Sequence, residues 1–283
     1  MSEENTFARQ VEHGLITTYR KRLWTPFMHA VQQYHLIDSG DRIAVCISGG
    51  KDSMLLAKLM QELQRHSKYP FELVYLVMDP GYSEVNRRQI EENARRLDLP
   101  VQIFDSDIFS VANRQEKNPC YLCARMRRGH LYSRARELGC NKIALGHHFN
   151  DVIETTVMGM FWGAQLQAML PRLRSKNFPG MELIRPLYLI HEDDIIAWRN
   201  SNGLVFLQCA CRFTEENSGL NDRESSKRKE VKELLRTLKH TSPDIEKSIF
   251  SSLHAVSIDT FPGWKSGGTA HSFLERLDET PDD

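Results

Sequence analysis

One stretch constrains the fold of this chain more than any other: an apolar run, a glycine-rich turn and the start of an amphipathic helix. Residues 43–47 are apolar, Ser-Gly-Gly-Lys-Asp-Ser follows at positions 48–53, and apolar residues then recur at helical spacing from Met54 to Leu63. Paired glycines let a backbone approach a ligand closely, and a helix N terminus directs unpaired N–H groups at whatever lies above it. The stretch therefore predicts a strand–loop–helix unit that binds phosphate.

The polar residues of this loop are candidate ligands for a nucleotide. Ser48 and Ser53 supply hydroxyl donors, Lys51 supplies a positive charge, and Asp52 is placed to act through a bound Mg²⁺ ion or to cap the helix. The common nucleotide-binding loop has four residues between its glycines, whereas these glycines are adjacent. A plain Gly-Gly turn with a Ser or Asp cap is the alternative. The candidate ATP-binding residues of the loop are Ser48, Gly49, Gly50, Lys51, Asp52 and Ser53.

Strand-like apolar stretches alternate with amphipathic helical stretches through most of the chain. This alternation predicts an α/β fold with a doubly wound, mostly parallel sheet. Such sheets bind ligands at the carboxyl ends of their strands, where Ser48 and Gly146 both fall. The predicted strands after the first are 71–78, 101–104, 142–146 and 204–207, with 183–187 extended, and the predicted helices include 86–97, 125–138, 152–162 and 192–201.

The length of 283 residues suits one α/β domain with additions at both ends. We predict an N-terminal helical extension over 1–38, a nucleotide-binding domain with an inserted cysteine site over 39–215, C-terminal helices over 216–260 and a loose acidic tail over 261–283. No run of about 18 apolar residues occurs, and the N terminus lacks the basic and apolar regions of a signal peptide. We therefore expect a cytoplasmic protein that does not cross a membrane.

Two further strand ends carry candidate nucleotide contacts. Gly146 begins the stretch Gly-His-His-Phe-Asn-Asp, where a glycine would leave room for an adenine or ribose. Asp151, at the end of that stretch, is placed to cap a helix or to bind Mg²⁺. Asp79 ends the second predicted strand, where it could contact ribose or Mg²⁺. All three residues fall on the nucleotide side of the predicted sheet.

The charge of the chain is balanced overall but uneven along its length. Lys and Arg total 37, as do Asp and Glu, so the net charge gives no argument for nucleic acid. Arg125, Arg127 and Arg128 nevertheless lie close together, where they could hold RNA phosphates. A solvated helix face is the alternative interpretation of these arginines.

Six cysteines in a reducing compartment indicate metal or sulfur chemistry more readily than disulfides. Cys120 and Cys123 are spaced to bind one metal ion, and Cys209 or Cys211 could complete the site. Four thiolates would suit structural zinc, whereas three would suit an iron–sulfur cluster with one iron left open. Spacing alone leaves zinc, a cluster and a redox-active dithiol as open alternatives.

Several of these motifs together resemble one known family. The hexapeptide at 48–53 resembles the pyrophosphate loop (PP-loop) of the ATP pyrophosphatases, whose fold is that of the adenine nucleotide alpha hydrolases. With the cysteine motif at 120–129, Ala-Leu-Gly-His-His at 144–148, Ile-Arg-Pro-Leu at 184–187 and the late cysteine pair, the chain resembles the tRNA 2-thiocytidine synthetases. The likeness runs from about Gly14 to Val256.

This resemblance implies an enzyme, an ATP-dependent tRNA thiolase that forms AMP and pyrophosphate. Its members use ATP and Mg²⁺ to adenylate the C2 oxygen of an anticodon-loop cytidine, and they replace that oxygen with sulfur. Lys51 and Asp52 would be the catalytic residues, and a [4Fe-4S] cluster would be held by Cys120, Cys123 and Cys209, or Cys211 in place of Cys209. The implied partners are tRNA, a sulfur donor such as a cysteine desulfurase, and a second copy of the chain.

The chain departs from the family pattern at two places. The family usually has Cys-x-x-Cys at the late site and Arg-Asp-Asp after His-His, whereas this chain has Cys-x-Cys and Phe149-Asn150-Asp151. Two other functions therefore stay in view. One is a PP-loop enzyme of the 2-thiouridine type with structural zinc, and the other is a non-catalytic sensor that binds ATP or a cluster.

Overall fold

A computed structural model of the chain describes residues 3–106, 108, 119–207 and 223–277. Its centre is a six-stranded sheet with the order β3-β2-β1-β4-β6-β5, in which every pair is parallel except β5 with β6. The predicted α/β fold with a mostly parallel sheet is thereby confirmed. The strands are β1 Arg42–Ile47, β2 Glu72–Asp79, β3 Val101–Asp105, β4 Lys142–Ala144, β5 Arg172–Arg174 and β6 Glu182–Ile184.

Helices connect the strands and precede the sheet. A π-helical turn at Arg20–Trp24 joins the first two helices. The helix predicted over 125–138 begins six residues earlier than expected, so that it includes the first cysteine motif. From the N terminus to the helix that follows β6, the helices are α1 Glu3–Ile16, α2 Thr25–Gln33, α3 Lys51–His66, α4 Glu84–Arg96, α5 Pro119–Glu137, α6 Phe149–Gly163 and α7 Glu192–Ser201.

The core lies on both faces of the central strand. Residues 43–45 of β1 are fully buried, which explains why this strand is a continuous apolar run rather than an alternating one. Cys46 and Cys140 are free thiols in the same cluster, and burial raises the pKa of Cys46 to about 12. These two cysteines are therefore packing residues, as small apolar side chains often are.

The N-terminal helices are fixed to the sheet domain through a buried lysine. Lys58, on α3, has no exposed surface, and its Nζ donates to Glu12 Oε1 on α1 at 2.6 Å and to the Leu97 carbonyl at 2.8 Å. A buried ammonium needs such partners, since burial alone lowers the pKa of Lys58. This ion pair gives the N-terminal extension a specific place beside α3.

Residues 204–207, predicted as a strand, do not join the sheet. The Val205 carbonyl accepts from the Asn93 side chain at 2.8 Å, and the Leu207 N–H donates to the Gly49 carbonyl at 3.3 Å. A helix side chain and the glycine loop therefore satisfy backbone groups that a strand ladder would otherwise use. The prediction was wrong because β propensity cannot foresee these partners.

Contacts divide the chain into two compact units, 1–232 and 233–283, and the boundary falls inside α8, Arg223–Thr241. The second unit also contains α9 Ile245–Ser252, a hairpin of β7 Gly263–Ser266 and β8 Thr269–Ser272, and α10 Leu274–Leu277. In the hairpin, where the sequence predicts a loose tail, Trp264 stacks on His271 and lies under the Arg276 guanidinium. None of the helices in the described residues is both long and apolar enough to span a bilayer.

Candidate active site at the carboxyl edge of the sheet

The glycine-rich loop folds back onto the first turn of α3. Gly49 has a φ of +83°, and a Cβ there would come within 2.7 Å of the Ile90 side chain, so only glycine fits. The Ser53 hydroxyl donates to the Gly50 carbonyl at 3.0 Å and accepts from the Ser48 N–H at 3.1 Å. Gly50 precedes the helix, and no described side chain caps it. Asp52 is therefore not the cap that the sequence allowed, and the helix N terminus is left available to phosphate oxygens.

Gly146 brings the end of β4 against the same helix. A Cβ at this position would lie 3.1 Å from the Asp52 carbonyl carbon and 3.1 Å from the Ser53 nitrogen. The sequence predicts that the missing side chain at this glycine leaves room for a base or ribose. In the structure, the backbone of α3 fills that space instead. The close contact unites the two strand ends that the sequence assigned to one site.

Asp151 caps the next helix and remains ionised. Its Oδ2 accepts from the His148 N–H at 3.0 Å. His148 is the N-cap residue of α6, and Asp151 caps the helix from position N3 in a capping box rather than as the N-cap itself. Burial raises the pKa of Asp151, but the charges of His148 and His147 outweigh it and hold the pKa below its usual value. The His148 Nε2 lies 3.5 Å from Asp151 Oδ2 and 3.8 Å from Asp52 Oδ1. This histidine thus brings the two carboxylates to one place.

Several buried polar atoms around this point lack a hydrogen-bond partner among the described residues. Asp52 Oδ1 accepts no hydrogen bond, although Lys51 Nζ lies 3.1 Å away from it. Native proteins rarely leave buried polar atoms unsatisfied, so such atoms need an explanation, and a missing ligand is a common one. The unpartnered atoms of this edge are Asp52 Oδ1, His147 Nδ1, His148 Nδ1 and Arg185 Nε.

Arg185 is a site residue whose role the sequence did not reveal. It lies in the Ile-Arg-Pro-Leu motif, is buried, and donates through Nη1 to the Leu170 carbonyl. Burial lowers the pKa of Arg185 to about 10, and the like charge of Arg128 adds to this effect. No carboxylate among the described residues forms an ion pair with it, which is unusual for a buried guanidinium. The sequence did contain one signal for such a role, because Arg185 is a basic residue within an otherwise apolar, extended motif.

Asp79 has a structural task at the end of β2. Its Oδ1 accepts the N–H groups of Gly81 at 2.8 Å and Tyr82 at 2.7 Å, and its Oδ2 accepts from Arg87 at 3.0 Å. These bonds form the turn after the strand. A contact from Asp79 to ribose or Mg²⁺ remains a prediction.

Lys51 is held by two carboxylates, one of which the sequence did not predict. Its Nζ lies 3.2 Å from Asp52 Oδ2 and 3.1 Å from Oε1 of Glu192, the first residue of α7. Burial lowers the pKa of Lys51, but Asp52 and Glu192 reverse this effect, so that the pKa is raised and the ammonium stays charged. Glu192 follows the Ile-Arg-Pro-Leu motif at a helix start, a position that sequence patterns explain equally well as a first-turn acid.

The arginine motif on α5 reaches the loop through a tyrosine. Arg127 Nη2 lies 3.5 Å from the Tyr82 hydroxyl, which in turn donates to the Ser48 carbonyl at 3.4 Å. Arg125 and Arg128 are exposed, as phosphate-binding residues must be. The backbones of Cys120 and Cys123 lie in the first turn of the same helix.

The complete cysteine site is not among the described residues. Cys209 and Cys211 lie outside them, and within the described part no three His, Cys, Asp or Glu side chains come close enough to share a metal ion. The described stretch 119–207 ends at Leu207, whose N–H donates to the Gly49 carbonyl, two residues before Cys209 in sequence. The late cysteine pair thus follows a residue that touches the glycine loop.

Comparison with known proteins assigns the chain to a family. The PP-loop domain family matches residues 22–212. A tRNA-cytidine(32) 2-sulfurtransferase of Geotalea uraniireducens is 35% identical over 250 residues, covering 87% of this chain and 94% of that one, and its counterpart in Citrifermentans bemidjiense is 36% identical over 231 residues, covering 80% and 87%. The U34-tRNA thiolase NcsA from Methanococcus maripaludis, solved with its [4Fe-4S] cluster, shares the fold with a TM-score of 0.64 at 21% identity, covering 82% of this chain and 77% of that one. This chain therefore belongs to the PP-loop family and, within it, to the tRNA-cytidine(32) 2-sulfurtransferases.

Proposed function

We propose that this protein uses ATP to activate the C2 oxygen of a cytidine in tRNA and then replaces that oxygen with sulfur. The observation that carries the proposal is the convergence at one strand edge of the uncapped α3 N terminus, Lys51 and Asp52, whose buried Oδ1 accepts no hydrogen bond. This edge suits a triphosphate, and the family relatives named above act on cytidine 32 of tRNA.

The first step is adenylation. The C2 oxygen attacks the α-phosphorus of ATP, the bond from that phosphorus to the bridging oxygen breaks, and pyrophosphate leaves. The loop N–H groups, the Ser48 and Ser53 hydroxyls and Lys51 stabilise the charge that develops on the leaving group. Asp52 and Asp151 would hold Mg²⁺, which commonly binds one or two carboxylates together with substrate phosphates. The proximity of the two carboxylates supports this donor set, since one oxygen of each lies within 3.8 Å of His148 Nε2.

The second step exchanges oxygen for sulfur. A sulfur nucleophile adds at C2, and the C–O bond then breaks, so that the former base oxygen leaves with AMP. Free sulfide is already at the oxidation level of the product, so with sulfide this exchange needs no oxidant or reductant. Sulfur from a persulfide donor has first to be reduced by two electrons, for example by a thiol, which is converted to a disulfide. AMP is a far better leaving group than the unactivated base oxygen, which is why the adenylation must come first.

We further propose a [4Fe-4S] cluster at the cysteine site. Cys120 and Cys123, in one helix turn, together with Cys209 or Cys211, supply the three thiolates that would hold it. A cluster with three protein ligands leaves one iron open to carry the incoming sulfur. The NcsA thiolase, which has the same fold and was solved with a [4Fe-4S] cluster, supports this assignment, and structural zinc is the alternative.

The partners follow from the same chemistry. Arg125, Arg127 and Arg128 would bind tRNA phosphates beside the reacting cytidine, because they share a helix with the cysteine motif. The sulfur would come from a donor enzyme such as a cysteine desulfurase, and two copies of the chain would form a homodimer.

The test combines metal analysis with product analysis. The wild-type protein is purified without oxygen, assayed for iron, sulfide and zinc, and incubated with tRNA, ATP, Mg²⁺ and sulfide, and the tRNA nucleosides are separated by mass spectrometry. We expect about four irons and four sulfides per chain, together with 2-thiocytidine and AMP. Asp52→Ala should lose AMP formation and keep its iron, whereas Cys120→Ala should lose its iron.

Comparison of Cys209→Ala with Cys211→Ala identifies the third ligand, because only one of the two should lose iron. A colourless protein with one zinc per chain and 2-thiouridine as product would favour the 2-thiouridine type of enzyme. Retained iron with no pyrophosphate release under any condition would instead indicate a sensor and refute the proposed reaction.

A further inference from the structure

Glu192 occupies a central place among the charges of the site. Its Oε1 lies 3.1 Å from Lys51 Nζ, and its Oε2 lies 2.9 Å from the Nζ of Lys232 on α8. The side chains of Lys51 and Glu192 are only 18% and 21% exposed, so water screens this pair less than a surface pair. Glu192 thus binds a lysine with each of its two oxygens.

Beyond Lys232, the charges continue to alternate until they reach the second carboxylate of the site. Lys232 Nζ lies 3.7 Å from Glu154 Oε1, and Arg228 Nη1 lies 3.1 Å from Glu154 Oε2 and 3.3 Å from Asp151 Oδ1. The series therefore runs from the loop lysine to the cap of α6. Glu192, Lys232, Glu154 and Arg228 each have a partner of opposite charge on both sides, which restricts their side-chain rotamers.

The start of α7, which carries Glu192, is fixed by two residues at which this chain departs from its family pattern. The Glu192 N–H donates to Asn150 Oδ1 at 2.9 Å. The Phe149 N–H donates to the Ile190 carbonyl at 3.0 Å, and the Phe149 ring lies 4.1 Å from the ring of His191. These contacts attach the start of α7 to the start of α6, so that Glu192 faces the loop from a defined position.

A lysine that serves a leaving pyrophosphate has to be both charged and correctly placed. Lys51 has a long, flexible side chain, and its ordering costs conformational entropy. Lys51 Nζ lies 3.1 Å from Asp52 Oδ1 and 3.2 Å from Asp52 Oδ2, so Asp52 attracts the ammonium from one side. Glu192 supplies the opposing attraction, which holds Lys51 between the two acids.

We infer that Glu192 is a positioning residue for adenylation: it holds Lys51 at the glycine loop, between Asp52 and Glu192. This inference rests on the proposed function, in which Lys51 stabilises the leaving pyrophosphate. Glu192 acts through Lys51 and does not itself contact the reacting atoms.

The kinetic test uses AMP formation in the presence of tRNA. Glu192→Gln keeps the size of the side chain and removes its charge. We expect kcat to fall about tenfold or more, because misplacement of a catalytic group by about 1 Å can cost 100-fold. The KM for ATP should stay the same or fall, since an anionic group near the phosphates is removed. Glu192→Asp should recover part of kcat, because it restores the charge on a shorter side chain.

Asp194→Asn is the matched control, since it removes the same charge from the same first turn of α7. Asp194 pairs with Arg22 rather than with the loop, so kcat and KM should remain at the wild-type values. An equal loss of kcat in Asp194→Asn would assign the effect to the helix end and overturn the inference. Wild-type kcat in Glu192→Gln would also overturn it.

A second measurement separates this inference from the proposed reaction. Binding of inorganic pyrophosphate is measured by calorimetry for the wild type, Lys51→Ala, Glu192→Gln and the double variant. Removal of Lys51 should weaken binding by a smaller factor in the Glu192→Gln background, because Lys51 is no longer held at the loop there. Equal factors in both backgrounds would contradict the positioning role. An inactive wild type that still shows this coupling would refute the reaction and not the placement of Lys51.

Discussion

Single residues at the carboxyl edge are fixed by contacts that permit little change. The space beside Gly146 is filled by the backbone of α3, which cannot move aside as a flexible side chain could. The two strand ends and the helix start therefore behave as one rigid group. This rigidity is what a site for phosphoryl chemistry needs, because its catalysis depends mainly on positioning and charge.

Gly146→Ala tests this rigidity. The new Cβ would lie 3.1 Å from two backbone atoms of α3, so we expect a loss of about 1–3 kcal/mol of unfolding free energy from overpacking, and weaker ATP binding. Urea denaturation and calorimetry measure the two effects. Gly163→Ala is the control, because no atom lies within 4 Å of its Cβ position. Similar stability in the two variants would contradict the close packing.

The pH dependence of stability reports on Glu192. Burial would raise its pKa, but the hydrogen bond from Lys232 and the charge of Lys51 prevail and lower the pKa from 4.5 to about 2. Because the pKa of Glu192 is lower in the folded protein than in the unfolded chain, ionised Glu192 stabilises the folded state at pH values above about 4.5. This contribution is lost as the pH falls from about 4.5 towards 2. The contribution is up to about 3 kcal/mol near neutral pH, at 1.36 kcal/mol per pKa unit.

The unfolding free energy of Glu192→Gln should accordingly lie below that of the wild type at pH 6, and the gap should narrow as the pH is lowered to 3. Lys232→Met should reduce the same pH dependence in part, since it removes one of the two lysines that lower the pKa of Glu192. If the unfolding free energies of the wild type and Glu192→Gln changed with pH in the same way, the pKa of Glu192 would be the same in the folded and the unfolded chain. That result would contradict the expected stabilisation.

At the scale of elements, the N-terminal half of α8 is attached to α6 by charge. Arg228 and Lys232 lie beside Glu154, whose side chain is only 3% exposed. Burial raises the pKa of Glu154, and the charges of Lys232 and Arg228 oppose that rise. Buried acids without such partners are costly, so this half of α8 is part of the site rather than a solvated appendage.

Arg228→Met should leave Glu154 with a single cationic neighbour and lower the unfolding free energy at pH 7 by about 1–3 kcal/mol. The deficit should shrink on acidification, because protonated Glu154 no longer needs the cation. Lys229→Met, an exposed position on the same helix, removes the same charge and should stay close to the wild type. Equal unfolding midpoints in urea for the two variants would argue against this role of Arg228.

At the scale of the whole molecule, the chain has no net charge, so any affinity for RNA has to come from a local group of cations. Arg125, Arg127 and Arg128 share one helix with the first cysteine motif, and Arg127 is linked through Tyr82 to the glycine loop. This arrangement would guide RNA to the edge of the sheet where the nucleotide is activated.

Replacement of Arg125 and Arg128 by alanine should therefore weaken tRNA binding mainly at low salt. Each phosphate contact that is lost should lower the slope of log K against log salt by about 0.7–0.9. Arg88→Ala is the control, because Arg88 is an exposed arginine on α4 that pairs with Glu84. Filter binding across a salt series measures the slopes, and equal slopes for both sets would place the RNA on another surface.

The sequence by itself determined the features that follow from patterns of residues along the chain. The strand, glycine loop and helix at 43–63 follow from local pattern, and so do the parallel sheet, the Asp151 cap and the family motifs. The loop, the cap and the motifs depend on spacing within a few residues, which backbone geometry converts directly into structure. The parallel sheet follows from the alternation of strand-like and helical stretches along the chain.

Only the tertiary structure decided which charges and backbone groups meet across the fold. It paired Lys51 with Glu192, 141 residues away in sequence, filled the space beside Gly146 with α3, and engaged Asp79 with its own turn and with Arg87. It also gave the backbone groups of 204–207 partners outside the sheet. Such contacts depend on how whole elements pack, and the position of an acid or a glycine in the sequence does not specify the distant atom that will lie beside it.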